Sequence, residues 1–302
     1  MSLSKKIDFA VIFKVVNANP NGDPLNGNRP RTIYEGNGEV SDVCIKRKIR
    51  NRLMETQPKV TVVADGKELE LCPIFVQSDD SKMDNYSSLK SRADAVLSGT
   101  KGAEAIAKKA CETWLDVRAF GQLFAFKASG GKKAKSKEGE GTADDKGVSI
   151  GIRGPVSVQS AFSISPVNVT STQITKSVSG EGDGTKRGSD TMGMKHRVDR
   201  GLYVFYGSMN PQLAVKTGFS DDDAKSIKAV LPRLFENDAS SARPEGSMEV
   251  LKVVWWEHNS PSGQVSSAKV HRSLTVHETD DLDKLISLVE INGLEPEIID
   301  GI

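Results

Sequence analysis

The sequence IDFAVIFKVV followed by NANPNGDPLNGNRPR, residues Ile7 to Arg31, joins an apolar run to a loop of Asn, Gly and Pro. The apolar run is rich in β-branched and aromatic residues, which is typical of a strand buried on both faces. The loop holds Leu25 as its one large aliphatic side chain, so it cannot enter a core and must form turns at the surface. We therefore predict a central strand that leads directly into an ordered polar loop.

This loop, Asn17 to Arg31, has the composition of a surface that binds a polyanion. Gly22 and Gly27 let a ligand approach the backbone, while Arg29 and Arg31 supply guanidinium groups. Amides that can donate and accept hydrogen bonds come from Asn17, Asn19, Asn21, Asn26 and Asn28. The alternative is a turn-rich connector whose asparagines only tolerate left-handed backbone geometry. The loop alone leaves both interpretations open.

A strongly basic helix is predicted downstream of the loop. Ser41 or Asp42 can cap this helix, which runs to about Gln57. Its apolar stripe is Ile45, Ile49, Leu53 and Met54, and its basic residues are Lys46, Arg47, Lys48, Arg50 and Arg52. No acidic residue lies between Val43 and Met54, whereas most solvated helix faces carry compensating carboxylates at helical spacing. This pattern favours a surface that follows phosphates, with an ordinary solvated face as the alternative.

Three further motifs follow: WLDVRAFGQLFA at Trp114 to Ala125, GIRGPVSVQSAFSISPVNV at Gly151 to Val169, and MGMKHRVDRGLYVFYGSMNP at Met192 to Pro211. Together with the NPNGDP loop and the basic helix, and in this order, they resemble the Cas7-type backbone subunit of the CRISPR surveillance complex Cascade, subtype I-C. The resemblance covers most of the chain and is weaker in its C-terminal part. It implies an α+β fold with a ferredoxin-like sheet of the RNA-recognition type, the palm, an inserted helical region and an extended thumb hairpin.

The resemblance also implies a set of RNA contacts. Phosphates and riboses would be held by Asn19, Asn21, Arg29, Arg31, Lys46, Arg47 and Arg50. The palm would be lined by Arg118, Gln122, Arg153, Gln159 and Ser160. Segment 170–197 would form a thumb over the guide RNA of a neighbouring subunit, through Met192, Met194, Lys195, His196 and Arg197. A disordered loop with chance methionines is the alternative for this segment.

The remaining segments add elements to a predicted single domain over 1–302. A hairpin signal at Asp65-Gly66 and a helix from about Gly102 belong to a peripheral insertion, 64–112. Other predicted elements are a strand at VRAFGQLFAF, a mobile loop at 128–147, a helix over Ser220–Phe235, a strand over Met248–Trp256 and an acidic helix over Asp280–Ile291. Because Trp255 and Trp256 point to opposite faces of their strand, we expect one to be buried and the other to meet a partner.

Composition narrows the class of protein. The 41 basic and 40 acidic residues give a formal net charge of +1, yet the two signs are segregated along the chain. Such segregation suits a protein with nucleic acid on one side and a copy of itself on another. Three cysteines without a CxxC pair indicate neither a disulfide framework nor a zinc site. No signal peptide or membrane-spanning run is recognisable, so we expect a cytoplasmic protein without cofactor or metal.

Three functions of different class remain open. The favoured one is a subunit without catalytic residues that binds CRISPR guide RNA, assembles into a helical filament of its own copies with other Cascade subunits, and presents the guide to target DNA. The alternative is an endoribonuclease resembling type III backbone subunits, with Asp23 or Asp42 assisting the cleavage of target RNA. A polymer-forming interaction protein without nucleic acid is a third interpretation.

Overall fold

The computed structural model describes residues 1–64, 66–125, 149–176, 192–291 and 293–302. The chain divides into two compact units. The sheet unit comprises Lys5–Arg52, Val158–Met209 and Lys225–Ile302, and the helical unit comprises Met1–Ser4, Leu53–Ser157 and Asn210–Ala224. The predicted mobile loop at 128–147, Asp65 of the hairpin turn, Phe126 of the predicted strand and segment 177–191 of the predicted thumb lie outside the described residues. The single domain over 1–302 and its insertion at 64–112 stay predictions.

The protein is a mixed α/β structure. Its elements in chain order are β1 (Ile7–Ala18), β2 (Gly22–Asp23), β3 (Arg29–Pro30), β4 (Asn37–Val40), α1 (Asp42–Thr56), β5 (Val60–Ala64), β6 (Lys67–Leu71), α2 (Leu89–Leu97), α3 (Ala103–Thr113), α4 (Leu115–Phe120), β7 (Gly121–Ala125), β8 (Ser149–Arg153), β9 (Val156–Val158), β10 (Ala161–Pro166), β11 (Val169–Thr175), β12 (Met192–Met209), α5 (Pro211–Thr217), α6 (Asp221–Val230), β13 (Met248–Glu257), α7 (Ser267–Arg272), β14 (Leu274–Val276), β15 (Ile286–Leu288) and β16 (Pro296–Asp300). Within the ranges that the structure describes, no helix has both the length and the apolar character needed to cross a membrane.

A large antiparallel sheet forms the centre of the sheet unit. Its strand order is β16-β13-β1-β12-β10-β4. The prediction of a central strand is confirmed by β1, whose residues Phe9 to Phe13 are all buried. The strand β12 is 18 residues long. Its second part pairs with β1, whereas Met192 to Val198 pair with β11. We call this paired extension, Val169–Thr175 with Met192–Val198, the β11–β12 arm.

Aromatic rings fill the core on one face of this sheet. The ring centroid of Phe13 lies 5.3 Å from that of Tyr203 and 5.1 Å from that of Phe235. The rings of Phe9 and Trp255 are stacked with a centroid distance of 5.6 Å. Aromatic side chains bury large apolar areas and gain additional stabilisation from such offset and tilted pairs. This face is therefore the main core of the sheet unit.

The opposite face of the sheet is covered by the C-terminal segment. Ile12 and Trp256 pack there in one apolar cluster with Val270 of α7 and with Leu285. Both tryptophans are consequently buried, with 3% of Trp255 and 1% of Trp256 exposed. The expectation that one of them would be free to meet a partner was wrong, because the alternation of side chains cannot reveal that both faces are covered.

The predicted acidic helix over Asp280–Ile291 is also wrong. The segment forms a loop and then β15, which pairs with β14 through Val276 opposite Ile286 and Leu274 opposite Leu288. Burial of Leu285, which is fully shielded from solvent, anchors the strand. The charge pattern of this segment alone favours a helix, but it contains no information about the backbone hydrogen bonds that β14 provides to β15.

The helical unit has a core of its own. The Phe75 ring lies 4.7 Å from that of Trp114 and 5.3 Å from that of Phe124. The predicted hairpin is confirmed by the pairing of β5 with β6, and the predicted helix from about Gly102 by α3. At the start of α6, which lies within the helix predicted over Ser220–Phe235, Asp223 N–H donates to Ser220 Oγ at 3.1 Å.

The predicted strand VRAFGQLFAF is only partly a strand. Its first residues belong to α4, and the strand β7 begins at Gly121. The Asp116 carboxylate accepts hydrogen bonds from the backbone N–H groups of Phe75 at 2.6 Å and Val76 at 3.1 Å, which anchors the helix. Gly121 has a φ of 82°, a conformation that glycine adopts without strain, so it separates the two elements. Arg118 therefore lies on a helix and not on the predicted strand.

Candidate nucleic-acid interface

The loop after β1 consists of fixed turns, as predicted. Strands β2 and β3 pair within it, with Asp23 opposite Arg29. The Asp23 carboxylate accepts a hydrogen bond from Leu25 N–H at 3.2 Å, and Gly27 and Asn28 both have left-handed backbone conformations. Leu25 is exposed at the tip. The loop is thus a small ordered hairpin.

Two of the predicted RNA-binding asparagines hold this hairpin in place. Asn19 is buried, and its Nδ2 donates to the Asn28 carbonyl at 2.7 Å. The Asn21 side-chain oxygen accepts from the Ser41 backbone N–H at 2.9 Å and from the Ser41 hydroxyl at 2.8 Å. These contacts attach the loop to the start of α1. Both side chains therefore have a structural role, and direct RNA contacts by Asn19 and Asn21 stay a prediction.

A cysteine joins the same junction. The Cys44 thiol of α1 contacts the Pro20 carbonyl at 3.8 Å. Burial raises the pKa of this thiol, although the nearby charge of Lys48 acts in the opposite direction. The raised pKa disfavours the thiolate, which is the reactive form of a cysteine, so Cys44 serves packing at this junction.

The basic helix α1 is less exposed than its sequence indicates. Only 4% of Lys48 and 6% of Arg52 are exposed. Lys48 pairs with Asp238, and Arg52 donates to the Glu236 carbonyl at 3.0 Å. The expectation of an unneutralised helix face was wrong, because these acceptors lie far away in sequence.

The remaining basic residues of α1 lie nearer the surface. Lys46, Arg47 and Arg50 are each partly exposed. Lys46 forms an ion pair with Asp42 at 3.0 Å, which is the carboxylate at the start of the same helix. A partly exposed pair of this kind is worth little and exchanges readily, so Lys46 remains available to a stronger anion. Contacts of these three residues with RNA phosphates stay a prediction.

Arg29 of the loop and His196 of the β11–β12 arm share the hydroxyl group of Ser171. Arg29 Nη1 donates to Ser171 Oγ at 2.6 Å, and His196 Nδ1 lies 2.8 Å from the same oxygen. Ser171 and His196 are cross-strand partners in the arm. Because Ser171 accepts from Arg29, its own proton is available to His196. Residues far apart in sequence thus form one hydrogen-bonded cluster around the Arg29 charge, which we call the Arg29–Ser171–His196 cluster.

The arm continues this cluster with exposed cations and soft apolar side chains. Lys195 and Arg197 are exposed, and the Arg197 Nε atom lies 3.7 Å from Asp199 Oδ1. Met192 and Met194 are 67% and 56% exposed. Methionine side chains are flexible and polarizable and suit irregular or changing surfaces. The arm therefore presents both charge and adaptable apolar surface to solvent.

Comparison with known proteins identifies the family. The family model of CRISPR-associated protein Cas7 matches residues 5–292. This chain belongs to the Cas7 family. A curated relative, CRISPR-associated protein Cas7 of Haloferax volcanii, is 25% identical over 264 residues, which cover 84% of this chain and 71% of the relative.

Two solved structures are similar to this Cas7 family member at lower identity. One, described as a CRISPR RNA-guided surveillance complex, pre-nicking, has a TM-score of 0.48 and 16% identity, and the match covers 91% of this chain and 82% of that chain. The other, described as a CRISPR RNA-guided surveillance complex, has a TM-score of 0.43 and 16% identity, with 92% and 78% covered.

The predicted palm residues of this Cas7 protein fall in different units. Arg118, Gln122 and Arg153 lie in the helical unit, whereas Gln159 and Ser160 lie in the sheet unit. Gln159 and Arg153 are exposed, and Ser160 is half-buried. Gln122 Nε2 donates to the carbonyl of the next residue at 3.0 Å. Their roles toward RNA stay predictions.

Arg118 is placed differently from what its sequence pattern indicates. Its guanidinium binds Asp223 in a bidentate manner, with Nε to Oδ2 at 2.9 Å and Nη2 to Oδ1 at 2.8 Å, and Nη1 donates to the Cys111 carbonyl at 3.2 Å. Bidentate charge-assisted pairs are among the strongest polar contacts in proteins. Arg118 is therefore a structural residue of the helical unit in this conformation, rather than a free cation on an open strand.

Sequence reasoning missed Ser171, the residue on which the cluster centres. A serine within the run of Thr, Ser and Gln residues carries no signal of its own, and only the register of the arm places it beside Arg29 and His196. Among the described residues, no group of three or more His, Cys, Asp or Glu side chains is arranged to hold a metal ion.

Proposed function

We propose that this chain is the guide-RNA-binding backbone subunit of a type I Cascade complex, of subtype I-C, as the sequence motifs indicate. The observation that carries the proposal is the Arg29–Ser171–His196 cluster, which joins the Asn/Arg loop to the β11–β12 arm. Membership of the Cas7 family supports it. The Arg29 guanidinium and the His196 imidazole on one face of the arm, with the exposed Lys195 and Arg197 on its other face, supply hydrogen-bond donors and charge suited to phosphates.

We propose that part of the central sheet forms a ferredoxin-like palm. The elements β1, α1, β10, β12, α6 and β13 follow one another as β-α-β-β-α-β, the order of that motif, and their strands are adjacent as β13-β1-β12-β10. Helix residues cover the aromatic face: Lys48 of α1 lies over the Phe235 ring and Lys228 of α6 over the Trp255 ring, both at 5.4 Å. This order supports an RNA-recognition-type palm, from which the β11–β12 arm extends as the thumb.

Recognition in this proposal is independent of guide sequence. Aromatic residues make up 6% of the chain, so stacking on many bases is not the main source of affinity. Contacts to phosphate and ribose carry no sequence information, which suits a subunit that holds any guide. Base pairing with target DNA then reads the sequence. We further propose that copies of this subunit form a helical filament in the cytoplasm with other Cascade subunits, each thumb contacting RNA on a neighbouring copy.

The first prediction concerns salt dependence. We expect the affinity for guide RNA to fall with salt, with a slope of about −2 to −4 in log K against log salt concentration, as for roughly three to five phosphate contacts on a single strand. We also expect the same slope for guides with unrelated spacers. Fluorescence anisotropy on the purified protein, at several salt concentrations and with three spacer sequences, measures both. A flat salt response together with a strong spacer preference would overturn the proposal.

The second prediction separates binding from catalysis. The two candidate catalytic carboxylates already have partners: Asp23 Oδ1 lies 3.5 Å from Arg31 Nη2, and Asp42 pairs with Lys46. We therefore propose a subunit that does not cleave RNA. Incubation with guide and complementary RNA in Mg²⁺ should leave the RNA intact, and Asp23→Ala or Asp42→Ala should change nothing. Regular metal-dependent cuts that either substitution abolishes would establish the endoribonuclease instead.

A further inference from the structure

The loop between β14 and β15 lies over one end of the central sheet. Its residues Glu278 to Asp283, sequence ETDDLD, carry four acidic side chains, and we call them the acidic strap. The stem below the strap is fixed, because His277 N–H donates to the Leu285 carbonyl at 2.8 Å and Leu285 is fully buried. These stem contacts lie outside the strap, so a displacement of the strap leaves them intact.

One carboxylate of the strap joins two cations of the sheet. Asp280 Oδ1 accepts from Arg200 Nη2 at 2.5 Å and from Lys14 Nζ at 3.3 Å. Lys14 is on β1 and Arg200 on β12, and the antiparallel register places Val16 opposite Arg200 and Lys14 opposite Leu202. The two cations thus project from adjacent strands on the same face of the sheet. With the strap they line a pocket of about 210 Å³.

We infer that Lys14 and Arg200 form a binding site for a phosphate of single-stranded RNA, which the Asp280 carboxylate fills while RNA is absent. Carboxylate and phosphate oxygens accept the same charge-assisted hydrogen bonds from guanidinium and ammonium groups. The site adjoins the Arg29–Ser171–His196 cluster, because Arg200 follows His196 by four positions on β12 and this even spacing places both side chains on one face of the strand. The inference therefore rests on the proposed function and deepens it.

Charge and exposure make the exchange feasible. The Asp280 and Arg200 side chains are 68% and 54% exposed, and exposed ion pairs contribute little to stability. Hydrogen bonds from Arg200 and then Lys14 lower the pKa of Asp280, so it is a carboxylate at neutral pH. Displacing the strap removes Asp280 and Glu278 together. Glu249 then remains as the one acidic residue of the pocket lining opposite two cations, and the site becomes net positive.

This arrangement makes the acidic strap a competitor of RNA. A single weak phosphate contact cannot displace the strap. An RNA that is already bound at the Arg29–Ser171–His196 cluster is tethered nearby, so the effective concentration of its next phosphate at Lys14 and Arg200 is high. The strap would thereby reduce the binding of short or unrelated RNA more than that of a full guide.

The test compares Asp280→Asn with Asp281→Asn. Both substitutions remove one charge from the same strap, but Asp281 pairs with Lys284, the residue directly after the strap, at 3.1 Å, rather than with the sheet. The affinity for an unstructured RNA of unrelated sequence is measured at several salt concentrations. Asp280→Asn should bind about two- to fivefold more tightly at low salt and show a salt slope steeper by about one. Asp281→Asn should stay close to the parent.

Further variants distinguish the possible outcomes. Adding Lys14→Ala and Arg200→Ala to Asp280→Asn should remove the gain, and thermal melts verify that every variant is folded. If the parent binds RNA but Asp280→Asn and Asp281→Asn behave alike, the inference is overturned and the proposed function stands. If neither the parent nor Asp280→Asn binds RNA, both the inference and the proposed function are overturned.

Discussion

Changing Lys195 and Arg197 together to glutamate should lower the affinity for guide RNA about 100-fold. Each substitution removes an exposed cation of the β11–β12 arm and places an anion there. At about 4 Å, one unit charge pair is worth about 1 kcal/mol in water and more near a protein surface, so reversing two cations near phosphates costs about 3 kcal/mol or more. Fluorescence anisotropy with a full-length guide measures the loss, and size-exclusion chromatography shows whether assembly on the guide is disrupted.

A matched control tests whether the position of the charges matters. Lys269 and Arg272 are exposed on α7 of the same sheet unit, and their double reversal changes the net charge by the same amount. This control should lose only a few-fold in affinity, through long-range electrostatics. If the arm variant assembles on guide RNA as well as its parent, or if the two double variants lose equally, the assignment of the arm as an RNA-binding thumb is wrong.

Replacing Asp8 with alanine should lower the free energy of unfolding by about 3–5 kcal/mol, as expected when one partner of a buried ionic network is removed. Asp8 is fully buried on β1. Its Oδ2 accepts from His258 Nε2 at 2.9 Å and lies 3.4 Å from Lys6 Nζ, and its Oδ1 lies 3.6 Å from His271 Nε2. Without this carboxylate, polar groups that join β1 to the C-terminal segment lose their shared partner. Urea unfolding at neutral pH measures the change.

The pH dependence of this network distinguishes charge from shape. Burial alone would raise the pKa of Asp8, but the His271, Ser267 and His258 side chains and the charge of Lys6 lower it to about 2. A carboxyl group whose pKa is lowered by folding contributes its full stability at pH values above its pKa in the unfolded chain, near 4. This contribution is lost as the pH falls through the pKa in the folded protein, about 2. Asp8→Asn keeps the shape and should be less stable than its parent at pH 7.

The difference between Asp8→Asn and its parent should therefore shrink as the pH falls from about 4 toward 2. Glu257→Gln is the control, because Glu257 pairs with Lys5 at the exposed end of the same sheet and should cost less than about 1 kcal/mol at any pH. A difference between Asp8→Asn and its parent that stays constant over the whole range would show that shape alone, and not charge, explains the effect.

Features whose signals lie within a short window could be predicted from the sequence. The apolar run at Ile7–Val16, the turn residues after it and the periodicity around Ile45 and Ile49 predict β1, the ordered loop and α1, and all three are present. The resemblance to the Cas7 family, which rests on motifs in order, is confirmed by the family match over residues 5–292, and the assignment to subtype I-C stays a prediction. Local patterns and their order along the chain thus carry most of the fold class.

Features that depend on long-range partners could not be predicted. The acids that pair with Lys48 and Arg52 follow them by more than 180 residues, and Arg29 meets Ser171 across 142 positions. No window of sequence reveals such contacts, so the charge of α1 was overestimated and the centre of the cluster was missed. The α4 error has a similar origin, because the Asp116 carboxylate that anchors the helix binds backbone groups 40 and 41 positions away.

The most direct test of the central claim is ultraviolet crosslinking of bound guide RNA, followed by mass spectrometry of the crosslinked residues. We predict crosslinks in the loop at Asn17–Arg31 and in the β11–β12 arm, at the same positions for guides with unrelated spacers. Arg29→Ala with His196→Ala should reduce them while the parent fold is kept. Crosslinks confined to the helical unit, or positions that change with the spacer, would contradict the account.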